Sequence, residues 1–138
     1  MIKKVFVFVI SAIIILSLFV FNKMPIFANY ANSYEAYLTD FSCSNKIINV
    51  NKFAYPFMFN IKGESAVLEK ETFNLQTFLT DLNAKVVDIE SGETYTCYYA
   101  YSPDIKKTKV INGQAVNLHI AITDKQVKVG SPIIYGSF

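Results

Sequence analysis

The chain begins with a long uncharged stretch. Residues 5–21, VFVFVISAIIILSLFVF, follow the short basic start MIKK and precede a polar region. A basic start, an apolar run and a small residue near a break are typical of an export signal. We predict cleavage after Ala28, which divides the sequence into a signal peptide, residues 1–28, and a single domain, residues 29–138.

The same stretch allows a second interpretation, an uncleaved anchor. It is longer than the roughly 7–15 apolar residues of most signal peptides, and it reaches the lower limit of the roughly 17–25 residues that span a bilayer. Both interpretations predict an exported protein, either extracellular or anchored on the outer side of the cytoplasmic membrane. In the second one, the membrane is contacted only through residues 5–21.

The pattern is clearest in residues 61–138, where one amphipathic helix is predicted. Leu75, Phe78, Leu79 and Leu82 recur at helical spacing and mark one apolar face. Asn74 is a suitable N-cap, and Asn83 suits the left-handed conformation that often ends a helix. Phe73 and Phe78 occupy the two positions of a hydrophobic staple.

Strands are predicted on both sides of this helix, because the apolar spacing changes to two residues. Asn112-Gly113 is the strongest hairpin signal, since both residues accept positive φ. In the longest alternating run, Val116, Leu118 and Ile120 face one side. The predicted strands are residues 61–69, 85–90, 94–101, 109–111, 115–122, 126–129 and 133–135.

Residues 29–60 are less regular. Those from Ser33 to Phe41 fit either a short helix capped by Ser33 or an irregular strand. Residues 45–51 resemble a loop, and Pro56 argues against an interior strand in FAYPFMF. The whole order predicts an α+β fold, in which one helix packs on an antiparallel sheet of about five or six strands.

The charge of the domain excludes one class of function. The whole chain carries a formal charge of +2, and all of its 13 basic residues are Lys. Lys3, Lys4 and Lys23 lie in the signal segment, so ten Lys face eleven acids in residues 29–138 and the domain has a formal charge of −1. A nearly neutral domain without Arg is a poor partner for nucleic acid.

Two cysteines and one histidine are the main candidates for chemistry. Cys43 and Cys97 could form one disulfide outside the cytosol, or both could be buried thiols. His119 is the only side chain whose ordinary pKa lies near neutrality. No metal-ligand spacing, phosphate loop or catalytic motif accompanies them, so we predict no cofactor, no metal and no catalytic residue.

Four tyrosines are concentrated in one predicted strand. They are Tyr95, Tyr98, Tyr99 and Tyr101. An exposed row of tyrosines could stack on sugar rings or hold a peptide. The alternative is ordinary packing against the helix and the neighbouring strands.

The C-terminal half resembles a known family. LQTFLTDLNAKVV (75–87) and VNLHIAITDKQVKVGSPIIYGSF (116–138) are similar to the C-terminal part of the YwmB-like proteins, which are exported proteins of spore-forming Gram-positive bacteria. The resemblance implies an α+β fold like that of the TATA-box-binding protein, and a role in sporulation or in cell-wall processes. It supplies no catalytic residues, and fold alone does not imply DNA binding.

Together these observations predict an exported, non-enzymatic domain that binds another protein of the bacterial cell envelope or a wall polymer, and that could form a homodimer. The alternative is a small envelope enzyme that uses Cys97 or His119. DNA binding by analogy of fold ranks last.

Overall fold

A computed structural model describes residues 2–21, 24–39 and 46–137. The order of elements is α1 Ile2–Phe21, β1 Ser33–Tyr37, β2 Ile47–Asn51, a 3₁₀ helix Tyr55–Phe57, β3 Gly63–Leu68, α2 Leu75–Asp81, β4 Lys85–Ser91, β5 Tyr95–Tyr101, β6 Lys109–Ile111, β7 Gln114–Val116, β8 Leu118–Thr123 and β9 Val127–Ser131.

Seven strands form one antiparallel sheet in the order β2-β1-β3-β9-β8-β5-β4. Strands β6 and β7 form a separate hairpin. The predicted α+β class is therefore confirmed. The sheet is larger than expected because residues 33–37 form a strand, and because residues 47–51, predicted as loop, pair with it.

Helix α2 connects β3 to the far edge strand β4 across one face of the sheet, which we call the helix face. The predicted cap is present, because Asn74 Oδ1 accepts a hydrogen bond from Thr77 N at 2.9 Å. Phe73 packs against Phe78 with ring centroids 5.4 Å apart, as expected for the staple. Asn83 has a φ of 49°, so it ends the helix in the left-handed conformation.

The residues between α1 and β1 complete the core of the helix face. Residues 24–31, the N-terminal turn, pack beside α2. Phe27 has 0% exposure, and its ring lies 6.2 Å from that of Phe78. Tyr30 contacts the same ring edge-on at 4.8 Å. Folded structure therefore begins before the predicted cleavage site at Ala28.

The opposite face is partly covered by the C-terminal tail, residues 132–137. The predicted strand 133–135 was wrong, because these residues cross the face and bond to side chains instead of to a neighbouring strand. Ile134 N donates to His119 Nδ1 at 3.2 Å, and Tyr135 N donates to the Tyr37 hydroxyl at 3.2 Å. We call this side of the sheet the tail face.

A buried asparagine divides the long predicted strand 115–122 into β7 and β8. Asn117 Nδ2 donates to the carbonyl oxygens of Ser102 and Ile105 at 2.7 and 2.8 Å. Its Oδ1 accepts from Ser102 N at 2.8 Å. The side chain thereby holds the loop that follows β5 against the sheet.

Helix α1 does not contribute to this core. The described side chains of residues 3–18 are exposed, apart from the half-buried Ser17. Helix α1 contacts the domain at the 3₁₀ helix Tyr55–Phe57. Among the described residues, no helix has the combined length and hydropathy that crossing a membrane requires.

Candidate functional site

Most of the residues predicted to carry chemistry meet on the tail face. Strand pairing sets Cys97 of β5 opposite Glu90 of β4, and Tyr99 of β5 opposite His119 of β8. We call this group the tyrosine face. Its members are Glu90, Tyr95, Cys97, Tyr99, Tyr101 and His119.

Tyr98 does not belong to this surface. Successive side chains of a strand point to opposite faces, so Tyr98 lies on the helix face and packs against the core there. Tyr95 and Tyr99 instead pack beside Cys97 on the tail face. The four tyrosines are thus divided between the two faces of the sheet.

Glu90 holds two of the tyrosines in place. Its two carboxylate oxygens accept hydrogen bonds from the hydroxyls of Tyr95 at 3.2 Å and Tyr99 at 3.1 Å. Burial, followed by the bond to Glu90, raises the pKa of Tyr99 to about 12. Both phenols are therefore neutral donors at physiological pH, and their rings are fixed in orientation before any ligand binds.

His119 is a packing residue in this arrangement. It is buried, and its ring stacks on that of Tyr99 with centroids 4.5 Å apart. Burial lowers its pKa to about 4, although the nearby Glu90 acts in the opposite direction. The imidazole is neutral at pH 7, and its Nδ1 is already used as an acceptor by Ile134 N.

Cys97 is buried beneath Ile134 and forms no disulfide with any residue that the structure describes. Burial, and then the charge of Glu90, raise its pKa to about 11. Because the thiolate is the reactive form, such a thiol is a poor nucleophile. Its predicted disulfide partner, Cys43, lies outside the described residues, so the pairing stays a prediction.

A second polar cluster lies on the same face and was missed from the sequence. Lys128 Nζ lies 2.9 Å from Glu35 Oε2, and Ser65 Oγ donates to the same oxygen at 2.7 Å. Although burial opposes it, these bonds lower the pKa of Glu35. The cluster borders a depression of about 310 Å³. The three residues come from β1, β3 and β9, so only the strand register brings them together.

Glu64 forms the polar centre of the helix face. Its carboxylate accepts hydrogen bonds from Phe27 N at 3.3 Å and from the Tyr55 hydroxyl. Burial raises its pKa despite these bonds. Glu64 thus ties the N-terminal turn and the 3₁₀ helix to the sheet, which is a structural role.

The described residues contain no group of three or more His, Cys, Asp or Glu side chains that could hold a metal ion. Comparisons with protein-family models, with curated proteins and with solved structures found no match.

Proposed function

We propose that the protein is an exported, non-enzymatic domain that binds another protein of the bacterial cell envelope through the tyrosine face. The observation that carries this proposal is the arrangement of Tyr95 and Tyr99, half-buried and held by Glu90, beside the free edge strand β4. Tyrosines fixed in this way offer apolar area and a polar tip at little entropic cost.

Export is supported by the position of the apolar N-terminal helix. Helix α1 includes the basic residues Lys3 and Lys4 in its first turn, and its described side chains other than Ser17 are exposed rather than packed in the core. A segment that the fold does not use is free to act as a targeting signal. Deletion of residues 2–21 should trap the protein in the cytosol, and recovery of the intact chain from soluble cytosolic extract of normal cells would overturn export.

The enzymatic alternative is weakened by the surroundings of its two candidate residues. Cys97 is covered by Ile134, and His119 is neutral and bonded to the chain of the tail. The raised pKa of Cys97 leaves little of the reactive thiolate at neutral pH, and the lowered pKa of His119 makes its imidazole a weak base. The variants Cys97→Ala and His119→Ala should keep the cellular phenotype wherever they keep the fold.

The partner surface can be tested by photo-crosslinking in intact cells. A photoreactive residue at Tyr101, on the tyrosine face, should give a discrete protein adduct. The same residue at Val110, which is 76% exposed on the β6–β7 hairpin, is the matched control. Equal labelling at both positions, or none at Tyr101, would contradict the proposal.

The resemblance of the C-terminal half to YwmB-like proteins supports a role linked to sporulation or to cell-wall processes. The single packed helix and antiparallel sheet are compatible with the fold which that resemblance implies. If the link holds, the Tyr101 adduct should be stronger in sporulating cells than in growing cells, at matched amounts of protein. An adduct to a second copy of the chain would instead favour a homodimer.

A further inference from the structure

A short segment between β2 and β3 exposes three phenylalanine rings. We call residues 53–59 the phenylalanine loop. Phe53 is 83% exposed, Phe57 60% and Phe59 69%. Exposing a large apolar side chain to water is unfavourable, and soluble monomers rarely gather several such side chains in one patch. This concentration therefore indicates a surface that meets an apolar environment.

The loop is held firmly to the domain. Asn51 Oδ1 accepts hydrogen bonds from Phe53 N at 3.0 Å and from Ala54 N at 2.8 Å, which fixes the turn out of β2. Inside the loop, Pro56 is buried and the Tyr55 hydroxyl donates to the buried Glu64. The phenylalanines are exposed because their neighbours are anchored inward.

The exposed charges along this segment of the chain are all positive. Residues 46–63 contain Lys46, Lys52 and Lys62 and no Asp or Glu, and Glu64, which follows them, is buried. From the adjacent loop, Lys107 reaches in and donates to the carbonyl oxygen of Ile61. Exposed aromatic rings bordered by lysines are the pattern of a surface that contacts anionic lipid, because the rings enter the interface and the ammonium groups meet the phosphates.

The loop is also continuous with helix α1, which contacts its 3₁₀ helix. After Lys4, the described side chains of that helix are exposed and apolar, apart from the exposed Ser11 and the half-buried Ser17. Two apolar surfaces of the same chemistry therefore adjoin at one end of the molecule. The tyrosine face lies at the other side of the sheet, on β4, β5 and β8.

We propose that the phenylalanine loop docks on the surface of an anionic lipid bilayer, with Phe53 and Phe57 entering the interface and the neighbouring lysines contacting lipid phosphates. The docked domain would present its tyrosine face away from the loop. This inference does not depend on the identity of the protein partner or on the tyrosine face.

The absence of tryptophan from the sequence allows a local test. In the full chain, Phe57→Trp provides a single fluorophore in the loop, and Val110→Trp provides one on the distant hairpin. With phosphatidylglycerol vesicles we expect a blue shift for the Phe57→Trp protein and quenching by brominated acyl chains, with neither for the Val110→Trp protein. Equal responses of the two proteins, or no response in the loop, would overturn the proposal.

Helix α1 could bind lipid by itself, so a second measurement compares affinities in the full chain. The double variant Phe53→Ser/Phe57→Ser should bind phosphatidylglycerol vesicles at least about tenfold more weakly than the unaltered protein, because two apolar side chains are lost. Val110→Ser should bind normally. Unchanged binding by a double variant with a normal near-ultraviolet circular dichroism spectrum would contradict lipid docking.

Two further results would show that the phenylalanine loop does not bind anionic lipid specifically. Equal binding of the unaltered protein to phosphatidylcholine vesicles would remove the role of the lysines and overturn the proposal as stated. A blue shift of the Phe57→Trp protein that grows with protein concentration in the absence of vesicles would assign the loop to contact with a second copy, and would likewise overturn it.

Discussion

At the scale of single residues, the buried Asn117 determines where the long alternating run is divided into two strands. It interrupts a run of alternating apolar residues and bonds to three backbone groups of the loop after β5. Buried backbone groups that lose such partners are costly. Asn117 is therefore the point at which β7 ends and β8 begins, although the alternating spacing of residues 115–122 predicts one continuous strand.

We expect Asn117→Ala to lower the free energy of unfolding by about 3 kcal/mol, because buried N–H and C=O groups of Ser102 and Ile105 would be left unsatisfied. Urea denaturation measures the change. Asn49→Ala, at an exposed position of β2, is the control and should change stability by less than about 0.5 kcal/mol. Equal effects of the two substitutions would contradict the role of the Asn117 bonds.

His119 should make stability depend on pH. Its pKa in the folded protein is about 4, below the ordinary 6.5. Between these values the unfolded chain takes up a proton that the folded chain does not. The contribution is therefore fully present above pH 6.5 and is lost as the pH falls towards 4, on the order of 3 kcal/mol in total.

His119→Gln should flatten this part of the stability profile, since Gln does not titrate and can still accept from Ile134 N. Denaturation curves at a series of pH values from 7 to 4 would be compared for the two proteins, because acids such as Glu35 contribute to both profiles. Parallel profiles would show that His119 is not the titrating group.

At the scale of elements, some of the fold can be predicted from signals that span only a few residues. The cap at Asn74 acts within a few residues, and so does the turn at Asn112-Gly113, whose two residues both have positive φ, so the sequence alone predicts them. Strands β1 and β2 are short and carry mixed side chains, and they are stabilised by pairing with each other and with β3. Because this pairing joins separate segments, the spacing of apolar residues within each strand does not reveal it.

Part of the candidate site can likewise be predicted from the sequence, and part of it cannot. Alternation along β5 is enough to separate Tyr98 from Tyr95 and Tyr99. The meeting of Glu35, Ser65 and Lys128 requires knowledge of which strands are neighbours, and β9 pairs with β3 from the opposite end of the chain. The burial of Cys97 and His119 depends on the tail, whose predicted strand was wrong.

The contact between the tail and the sheet can be tested by a substitution at Gly130. A Cβ atom there would lie 2.9 Å from Ile134 N and 2.8 Å from Ile134 Cγ1, so Gly130→Ala should push the tail away from the sheet. Since Ile134 covers Cys97, the rate at which a thiol reagent modifies Cys97 should rise about tenfold or more. The measurement uses a Cys43→Ser background, so that only one thiol reacts.

Gly113→Ala is the control for the tail experiment. Gly113 has a φ of 78° in the β6–β7 hairpin, where a side chain is strained but does not touch the tail. If both substitutions raise the reaction rate equally, general destabilisation explains the result and the tail is not the specific cover.

At the scale of the whole molecule, the N-terminal turn belongs to the folded domain. Phe27 is fully buried against Phe78, and Phe27 N bonds to Glu64. A chain cut after Ala28, as the signal pattern predicts, would lose both contacts. Processing at that site would therefore release a less stable domain than one that keeps the N-terminal turn.

We expect a chain that begins at Asn29 to unfold with a free energy at least about 3 kcal/mol lower than one that begins at Met24, because removing a buried Phe side chain costs about 3–5 kcal/mol. Chemical denaturation compares the two chains. Phe27→Ala in the longer chain should reproduce most of the loss, whereas Phe53→Ala should not. Equal stability of the two starts would contradict this role of Phe27.

The order of the strands also bears on when the chain can fold. Strand β9 lies in the interior of the sheet, between β3 and β8, yet along the chain it is the last of the seven strands that form this sheet. Until residues 127–131 emerge from the ribosome, the two halves of the sheet have no common neighbour and cannot join. Pairings between distant parts of a chain form slowly. We therefore expect the sheet to stay open until β9 has emerged, a state that a secretory translocase can thread if the chain is exported as proposed.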